Sequence, residues 1–381
     1  MKKVLSVLMV SVLIVGMLFI PGLKMDAYAV ETTPTCKSQI LIERTTGKVL
    51  EEKNSNERLP IASVTKLMTI LLTLEKIDAG EINLNDIVTV SANASGMGGS
   101  QIFLDANCDY VLGDLLKSVI VASANDSSVA LAEHIAGSEA NFVRLMNERA
   151  RELNLTNTNY ANCTGLPSSE GYSSANDQAI ILNKVLNYPT YHEYSSIWME
   201  DFLHPDGRTT QMTNTNKLSR FYEGCIGGKT GSTNQAKYCL AVGARRNNME
   251  LIAVVLGADT SQNRFKLASD MLNNGFANYS NKTLFSNADL ANKFIKIKGM
   301  DRFTTLKAEQ DYVSVTKNGE EINYNLNFNL PSMLVSVTEN QVVGNVEIVI
   351  DGVVVKTINI LANQTHEEAT LWDYIHQITN N

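Results

Sequence analysis

Ser63 and Lys66, three residues apart, are the side chains of this chain with the clearest capacity for chemistry. On a helix, residues three positions apart lie on one face, so the hydroxyl and the amine can meet. A serine hydroxyl is a weak nucleophile until a neighbouring base takes its proton, and an unprotonated lysine can be that base. The pair therefore predicts a serine nucleophile with its general base built into the same helix.

Two later triplets supply further polar groups for the same chemistry. Ser123-Ala124-Asn125 brings a second hydroxyl and an amide, and Lys229-Thr230-Gly231 brings a second amine. Each short motif alone is weak support, because a chain of this length is expected to contain about one S-x-x-K, about one S-x-N and about a tenth of a K-T-G by chance. All three in this order, each in a suitable local context, predict a single active site.

The residues around Ser63 predict a loop that leads into a buried helix. A polar loop with Pro60 precedes the serine, and the mostly apolar residues 66–74 follow it, with the helix reaching about Gly80. Free N–H groups and the positive dipole end at a helix start favour a developing oxyanion. Burial there would push Lys66 toward the neutral form that a base requires. The alternative, a helix-capping serine and a surface lysine, fits the pair alone but not all three motifs.

The apolar patterns predict a sheet flanked by a helical insertion. Residues 39–42 and 48–50 surround a turn and form a hairpin, whereas 238–242 and 251–256 are continuous apolar runs typical of central strands. Residues 112–136 predict helix, loop and helix, with the Ser123 triplet in the loop. Strands at both ends of the region with helices between them indicate an α+β fold.

The residues after about 282 predict a small all-β module. Strict apolar alternation over 322–330 predicts a half-buried strand, Asp351-Gly352 predicts a hairpin turn, and Asn318-Gly319 predicts another. This module spans 283–365 and contains no catalytic motif. The tail 366–381 is short and amphipathic, with apolar residues on one helical face: Leu371, Trp372, Ile375 and Ile378. Two interpretations fit this tail: it lies on a membrane surface, or it packs or frays at the end of the chain.

The first 29 residues predict a secretory signal peptide. Lys2-Lys3, the apolar residues 4–20 and the small-x-small sequence Ala27-Tyr28-Ala29 are its three parts. The catalytic domain is therefore expected over 30–282, in a protein that acts outside the cytoplasmic membrane.

Charge and cysteine content narrow the function classes. The net charge of −8 argues against nucleic acid as a partner. The histidines and cysteines show no metal-ligand spacing, so neither a metal nor another cofactor is predicted. Five cysteines at irregular spacing are not a disulfide framework. Cys225 and Cys239 could face each other across a hairpin, but the strand register that decides this cannot be read from sequence.

The chain resembles the serine D-alanyl-D-alanine carboxypeptidases, which belong to the low-molecular-mass penicillin-binding proteins. Four segments carry the resemblance: Pro60-Ile61-Ala62-Ser63-Val64-Thr65-Lys66-Leu67-Met68-Thr69, Met97-Gly98-Gly99-Ser100-Gln101, Ser123-Ala124-Asn125-Asp126 and Gly228-Lys229-Thr230-Gly231. It extends from the signal peptide to the β-rich end. The resemblance implies the fold of penicillin-recognising serine transferases and β-lactamases, an antiparallel sheet flanked by helices, followed by a small all-β domain.

The resemblance also implies a reaction and its partners. The enzyme would remove the terminal D-alanine from peptidoglycan stem pentapeptides through an acyl-enzyme on Ser63. Lys66 would take the proton of Ser63, Ser123 would relay it to the leaving amine, and Asn125 would hold Lys66 and bind the substrate backbone. β-Lactam antibiotics would acylate Ser63 as covalent inhibitors. The expected location is the cell wall or the outer face of the cytoplasmic membrane.

The remaining implied roles concern substrate binding. Lys229 and Thr230, in the triplet completed by Gly231, would line the opposite wall and suit the terminal carboxylate of the substrate. The backbone N–H groups of Ser63 and Ser232 would form the oxyanion hole. Arg264 matches a second carboxylate-binding position.

Two features depart from the family pattern. Many relatives have histidine where this chain has Ser232, although the oxyanion hole needs only the backbone N–H. Relatives commonly show His-Gly-Leu where this chain has Thr164-Gly165-Leu166. Asp177, after that loop, is expected to stabilise the loop rather than to react.

Three other functions compete with the carboxypeptidase. A serine β-lactamase shares the motifs but usually needs a glutamate three residues before Leu-Asn, and this chain has Ala150 before Leu153-Asn154. A DD-endopeptidase or transpeptidase would use the same residues with another substrate or acceptor. A catalytically silent wall-binding penicillin sensor would require a blocked groove, because every polar catalytic group is present.

Overall fold

Nine strands and nine helices build the first part of the chain in a computed structural model, which describes residues 34–299 and 301–379. The strands are β1 (Ser38–Glu43), β2 (Val49–Lys53), β3 (Ile87–Thr89), β4 (Asp109–Val111), β5 (Met199–Leu203), β6 (Thr209–Thr213), β7 (Cys225–Thr233), β8 (Lys237–Arg246) and β9 (Met249–Ala258). The helices are α1 (Lys66–Asp78), α2 (Ala92–Ser95), α3 (Leu112–Val121), α4 (Asn125–Ala136), α5 (Glu139–Glu152), α6 (Ala175–Val185), α7 (Pro189–Ser196), α8 (Leu218–Phe221) and α9 (Ser261–Asn278). The predicted signal peptide lies outside the described residues.

Five of these strands form an antiparallel sheet in the order β2-β1-β9-β8-β7. The strands from the two ends of the region meet in the centre, where β1 pairs with β9. The predicted sheet with a helical insertion is therefore confirmed. β7, which carries the Lys229 triplet, lies at the edge of this sheet.

The apolar runs are buried on both faces, as their continuous hydrophobicity predicts. On β9, Ile252 and Val254 pack into the core under α1–α7, while Ala253 and Val255 face the second core under α9. Four of these helices, α2, α5, α6 and α9, start at a side-chain cap. For example, the Ser138 side chain accepts the N–H of Asn141 at the start of α5.

A β-rich module follows α9, which confirms the second half of the predicted fold class. Its strands are β10 (Tyr279–Phe285), β11 (Phe294–Ile297), β12 (Phe303–Ala308), β13 (Tyr312–Lys317), β14 (Tyr324–Asn329), β15 (Met333–Leu334), β16 (Val342–Ile350) and β17 (Val353–Ala362). Six of them form a sheet in the order β14-β16-β17-β12-β11-β15, and β10 pairs with β13. A last helix, α10 (Leu371–Thr379), ends the described chain.

The two predicted turns of this module have different outcomes. Asp351 and Gly352 have positive φ angles of 48° and 82° and join β16 to β17, as a type I′ hairpin requires. The predicted hairpin at Asn318-Gly319 is wrong. The chain does turn there, but β13 pairs with β10 and β14 pairs with β16.

Cys225 and Cys239 do not form a disulfide. In the β7–β8 ladder, Cys225 lies opposite Ala244 and Cys239 lies opposite Gly231, so their positions in the hairpin do not match. Both are free thiols, and Cys239 is fully buried. Within the described ranges, no helix is long and apolar enough to span a bilayer.

Candidate active site

Ser63 lies in a short 3₁₀ turn, Ala62–Thr65, which leads directly into α1. Ala62 has a φ of +48°, an unusual value for a residue with a side chain, and this bend brings the serine to the helix start. The Nζ atom of Lys66, the first residue of α1, lies 3.1 Å from Ser63 Oγ. The predicted pair therefore makes direct contact.

Lys66 is held by two fixed carbonyl oxygens. Its Nζ atom donates to Asn125 Oδ1 and to the backbone oxygen of Thr164, both at 2.6 Å. A neutral amine has two N–H groups and one lone pair. With both N–H groups directed at these oxygens, the lone pair is left for the hydroxyl proton of Ser63. This is the geometry of a general base.

Burial favours the neutral form of Lys66. The side chain is fully buried, and loss of hydration lowers its pKa from 10.5 to about 7. Cys163 and Asp126 oppose this change to a smaller extent. At neutral pH only Asp126 contributes a charge, because burial raises the pKa of the Cys163 thiol well above its ordinary value. At neutral pH a substantial part of the amine can therefore accept a proton.

Ser123 and Asn125 lie at the corner between α3 and α4. Ser123 has a φ of +63°, so it is held in the left-handed region that serine rarely adopts. Its Oγ accepts a hydrogen bond from Lys229 Nζ at 2.7 Å. Asn125 is the first residue of α4, and its side-chain oxygen Oδ1 accepts a hydrogen bond from Lys66. The second predicted triplet therefore contacts both lysines, Lys229 through Ser123 and Lys66 through Asn125.

Lys229 approaches from the edge strand β7. It is almost completely buried, and burial, followed by the charges of Lys66 and Arg264, lowers its pKa well below the ordinary value. Besides Ser123, its Nζ atom contacts the backbone oxygen of Thr230 at 3.2 Å. Thr230 itself is also buried.

Gly231 lets the edge strand pass directly against the nucleophile turn. A Cβ atom at this position would lie 2.6 Å from the oxygen of Ile61 and 2.9 Å from the nitrogen of Ser63, too close for any side chain. Ser232 follows, exposed on the same strand. The backbone N–H groups of Ser63 and Ser232 therefore lie on adjoining segments.

Arg264 supports this strand from α9. Its Nη1 atom donates to the backbone oxygens of Gly231 at 3.0 Å and Cys239 at 3.3 Å. The side chain is buried, and this burial lowers its pKa. Its Nη2 atom donates to Ser261 Oγ, and the guanidinium lies over the rings of Tyr238 and Phe265.

The loop with Thr164-Gly165-Leu166 closes the other side of the nucleophile. Gly165 has a φ of +80°, and a Cβ there would lie 2.0 Å from the oxygen of Ala62. At the base of the loop, Asp177 accepts the N–H of Asn157 and the hydroxyl of Thr158. Asp177 therefore holds the segment that leads into this loop.

The sequence did not reveal three further contacts of the site. They are the Thr164 backbone oxygen on Lys66, the Gly98 backbone oxygen on the amide of Asn125, and the buried carboxylate of Asp126. The motif segments around 97–101 and 123–126 marked the region. A backbone oxygen, however, leaves no signal in residue types.

Comparison with known families covers nearly the whole chain. The family described as D-alanyl-D-alanine carboxypeptidase matches residues 26–260, and the penicillin-binding protein 5 C-terminal domain matches residues 279–368. The D-alanyl-D-alanine carboxypeptidase DacF of Bacillus subtilis is 41% identical over 85% of this chain and 83% of its own length. DacC of Escherichia coli is 30% identical over 92% of this chain and 91% of its own length.

Solved structures show the same architecture. Penicillin-binding protein 5 from Haemophilus influenzae has a TM-score of 0.73 at 30% identity, over 88% of this chain and 99% of that one. Mutants of the Streptomyces K15 DD-transpeptidase have TM-scores of 0.60 to 0.61 over 65% of this chain and all of theirs. With its nucleophile turn, paired lysines and edge strand arranged as described above, the chain belongs to the D-alanyl-D-alanine carboxypeptidase family of penicillin-binding proteins.

Proposed function

We propose that this protein is a serine-type DD-carboxypeptidase that removes the terminal D-alanine from peptidoglycan stem pentapeptides. One observation carries the proposal. The buried Lys66 amine has its two N–H groups on Asn125 and Thr164 and faces the hydroxyl of Ser63. Relatives at 30% to 41% identity over most of the chain are named as enzymes of this kind.

In the proposed acylation step, Ser63 Oγ attacks the carbonyl carbon between the two D-alanines. Lys66 takes the hydroxyl proton, Ser123 gives its own proton to the nitrogen of the leaving D-alanine as the C–N bond breaks, and Ser123 regains a proton from Lys66, which is neutral again. The product is an ester between Ser63 and the shortened peptide. Water then attacks this ester while Lys66 takes its proton, and Lys66 returns that proton to Ser63 Oγ as the ester bond breaks and the tetrapeptide is released.

The substrate is proposed to lie along the outer edge of β7 as an added strand. Lys229, Thr230 and Arg264 attract its terminal carboxylate, and Gly231 gives the peptide close access to the serine. The N–H groups of Ser63 and Ser232 stabilise the oxyanion, which supplies a large part of the rate in acyl transfer.

Penicillins are proposed to acylate the same serine and to be released slowly. Ala150, which occupies the position of the β-lactamase glutamate, is buried in α5 and has no carboxylate to activate water. A DD-endopeptidase or transpeptidase would use the same groups. Assays with linear, cross-linked and amine-containing substrates distinguish the carboxypeptidase, endopeptidase and transpeptidase activities.

The location and the domain division are proposed from the sequence pattern. The signal peptide of residues 1–29 would deliver the catalytic domain 30–282 and the β-rich domain 283–365 to the outer face of the cytoplasmic membrane or the wall. The tail 366–381 would add a peripheral membrane contact. In support, Leu371 and Trp372 of α10 are 73% and 71% exposed. Co-sedimentation with lipid vesicles, with and without the tail, tests that contact.

D-Alanine release from a peptide ending in L-Lys-D-Ala-D-Ala tests the reaction. The intact protein is expected to release one D-alanine per peptide and Ser63→Ala none, while Ser196→Ala, a change at an exposed serine, keeps full activity. Mass spectrometry with penicillin should show one adduct, absent in Ser63→Ala. Failure of the intact protein to release D-alanine would contradict the carboxypeptidase. Cross-linked and amine-containing substrates would then test the endopeptidase and transpeptidase.

A further inference from the structure

The orientation of the Asn125 amide is set by a neighbouring loop, residues 98–104. Asn125 Nδ2 donates to the backbone oxygen of Gly98 at 2.6 Å, and its backbone N–H donates to the oxygen of Ser100 at 2.7 Å. A Cβ on Gly99 would lie 2.8 Å from Nδ2, so the loop packs against the amide without spare room. Because the NH₂ group is committed to Gly98, the amide oxygen must face Lys66.

The 98–104 loop is in turn held by the carboxylate of Asp126. Asp126 Oδ2 accepts the N–H groups of Ile102 and Leu104, both at 3.1 Å, and Oδ1 accepts the N–H of Ser127 at 2.9 Å. Phe103, between the first two donors, has a φ of +64°, which is exceptional for a bulky residue. Successive N–H groups that converge in this way form a nest for an anion. Burial raises the pKa of this carboxyl, whereas the three N–H groups that donate to it favour the ionised form.

We propose that Asp126 is a positioning residue, which fixes the 98–104 loop and thereby sets Asn125 and the amine of Lys66. Asp126 is fully buried, and no ion pair among the described residues includes it. Its role depends on the proposed reaction only in that Lys66 must serve as the base. It does not depend on which acyl donor reaches Ser63.

The same loop is anchored a second time on its outer side. Thr210 of the β5–β6 hairpin donates to the backbone oxygen of Ile102 at 3.1 Å, and His204 Nε2 lies 2.9 Å from the same hydroxyl. Ile102 is thus held through its N–H by Asp126 and through its oxygen by the hairpin. Loss of Asp126 alone would therefore displace the inner face of the loop rather than unfold it.

Asp126 also acts on Lys66 through its charge. The charged and titratable groups that act on this amine are Asp126 on α4, Cys163 before the Thr164 loop, and Lys229 on β7. The negative charge of Asp126 raises the pKa of Lys66 against the larger effect of burial. Neutralising Asp126 is therefore expected to lower the pKa of Lys66. The acid limb of the rate profile would then move to lower pH.

The test compares Asp126→Asn with Glu133→Gln, the same chemical change on α4 at a partly exposed carboxylate. Acylation by penicillin and D-alanine release are both followed against pH, with the melting temperature as the control for folding. Asp126→Asn is expected to lower the acylation rate about 10- to 100-fold, the size of effect seen when catalytic groups are misplaced by about 1 Å. It should also move the acid limb to lower pH, whereas Glu133→Gln changes neither property.

A double-mutant cycle with Asn125→Ala separates positioning from simple stability. If Asp126 acts through Asn125, Asp126→Asn should change the rate at pH 8, where Lys66 is mostly neutral, by less than about twofold once Asn125 is alanine, because coupled residues are not additive. Full additivity, or unchanged acylation and pH profile in folded Asp126→Asn, would overturn the proposal. If the intact protein is acylated but releases no D-alanine, the carboxypeptidase assignment fails while the acylation data still test Asp126.

Discussion

The pH dependence of acylation provides the sharpest test of the Lys66 geometry. Burial lowers the pKa of this amine from 10.5 to about 7. At pH 7 an ordinary lysine is neutral in only about 0.03% of molecules, whereas one with the lowered pKa is neutral in about half, a gain of more than a thousandfold. The free-energy equivalent of the change is about 5 kcal/mol.

Penicillin acylation is the appropriate assay, because this single step forms the ester without needing water. The second-order rate constant should rise about eightfold between pH 5.5 and 6.5 and level off above about pH 8, since only the neutral amine accepts the proton of Ser63. The rate rises with pH because the pKa of Lys66 is about 7. Below that pH most molecules carry the protonated amine, which cannot act as a base, and above it most carry the neutral amine.

Lys66→Arg provides the matched control. A guanidinium stays protonated in proteins, so this variant keeps the positive charge and removes the base. Its acylation rate is expected to fall by about 10²- to 10⁴-fold, the usual contribution of a general base. A wild-type profile that is flat from pH 5.5 to 8, or an active arginine variant, would refute the assignment of Lys66 as the base.

Three further outcomes follow from particular contacts. Gly165→Ala should lower acylation at least about tenfold, because a Cβ there meets the oxygen of Ala62 at 2.0 Å. Gly207→Ala has an equally unfavourable φ but nothing within 4 Å, and should leave acylation unchanged. Asp177→Ala should cost about 1–3 kcal/mol in urea unfolding, since it leaves loop donors without their acceptor. Reducing agents should not alter the melting temperature, because Cys225 and Cys239 are free; a decrease would contradict the strand register.

Local pattern was sufficient to predict the elements that carry the motifs. The apolar residues after Ser63 form α1, and the two apolar runs around residues 240 and 253 are the central strands β8 and β9. In each case the pattern of apolar residues depends on which faces of the element are buried. The burial of these elements can therefore be predicted from the sequence.

Contacts between distant segments were not predictable in this way. Asn318-Gly319 specifies a bend, but the partner of each neighbouring strand depends on the whole sheet, and the predicted hairpin is wrong. The same holds for the backbone oxygen of Thr164 on Lys66, 98 residues away in the chain. A main-chain oxygen is common to every residue, so only the folded structure shows which one binds the amine.

The two buried lysines lead to a last prediction about the substrate carboxylate. Burial and the neighbouring charges of Lys66 and Arg264 lower the pKa of Lys229, so the free enzyme tends to lose its proton. A carboxylate bound beside Lys229 would favour the protonated form, because opposite charges raise the pKa of an amine. Peptides that end in a free D-alanine should therefore bind less well as pH rises, whereas the C-terminal amide should show a flat KM.

The measurement is KM against pH for the acid and amide forms of one peptide. The rise of KM for the acid alone would link recognition of the chain end to the charge of Lys229. Parallel profiles for both peptides would mean that the carboxylate is recognised elsewhere. Arg264 alone would not be that other binding group, because its Nη1 atom already donates to the backbone oxygens of Gly231 and Cys239. The enzyme would then have to recognise the chain end through the backbone of β7, and the buried amine of Lys229 would serve only to orient Ser123.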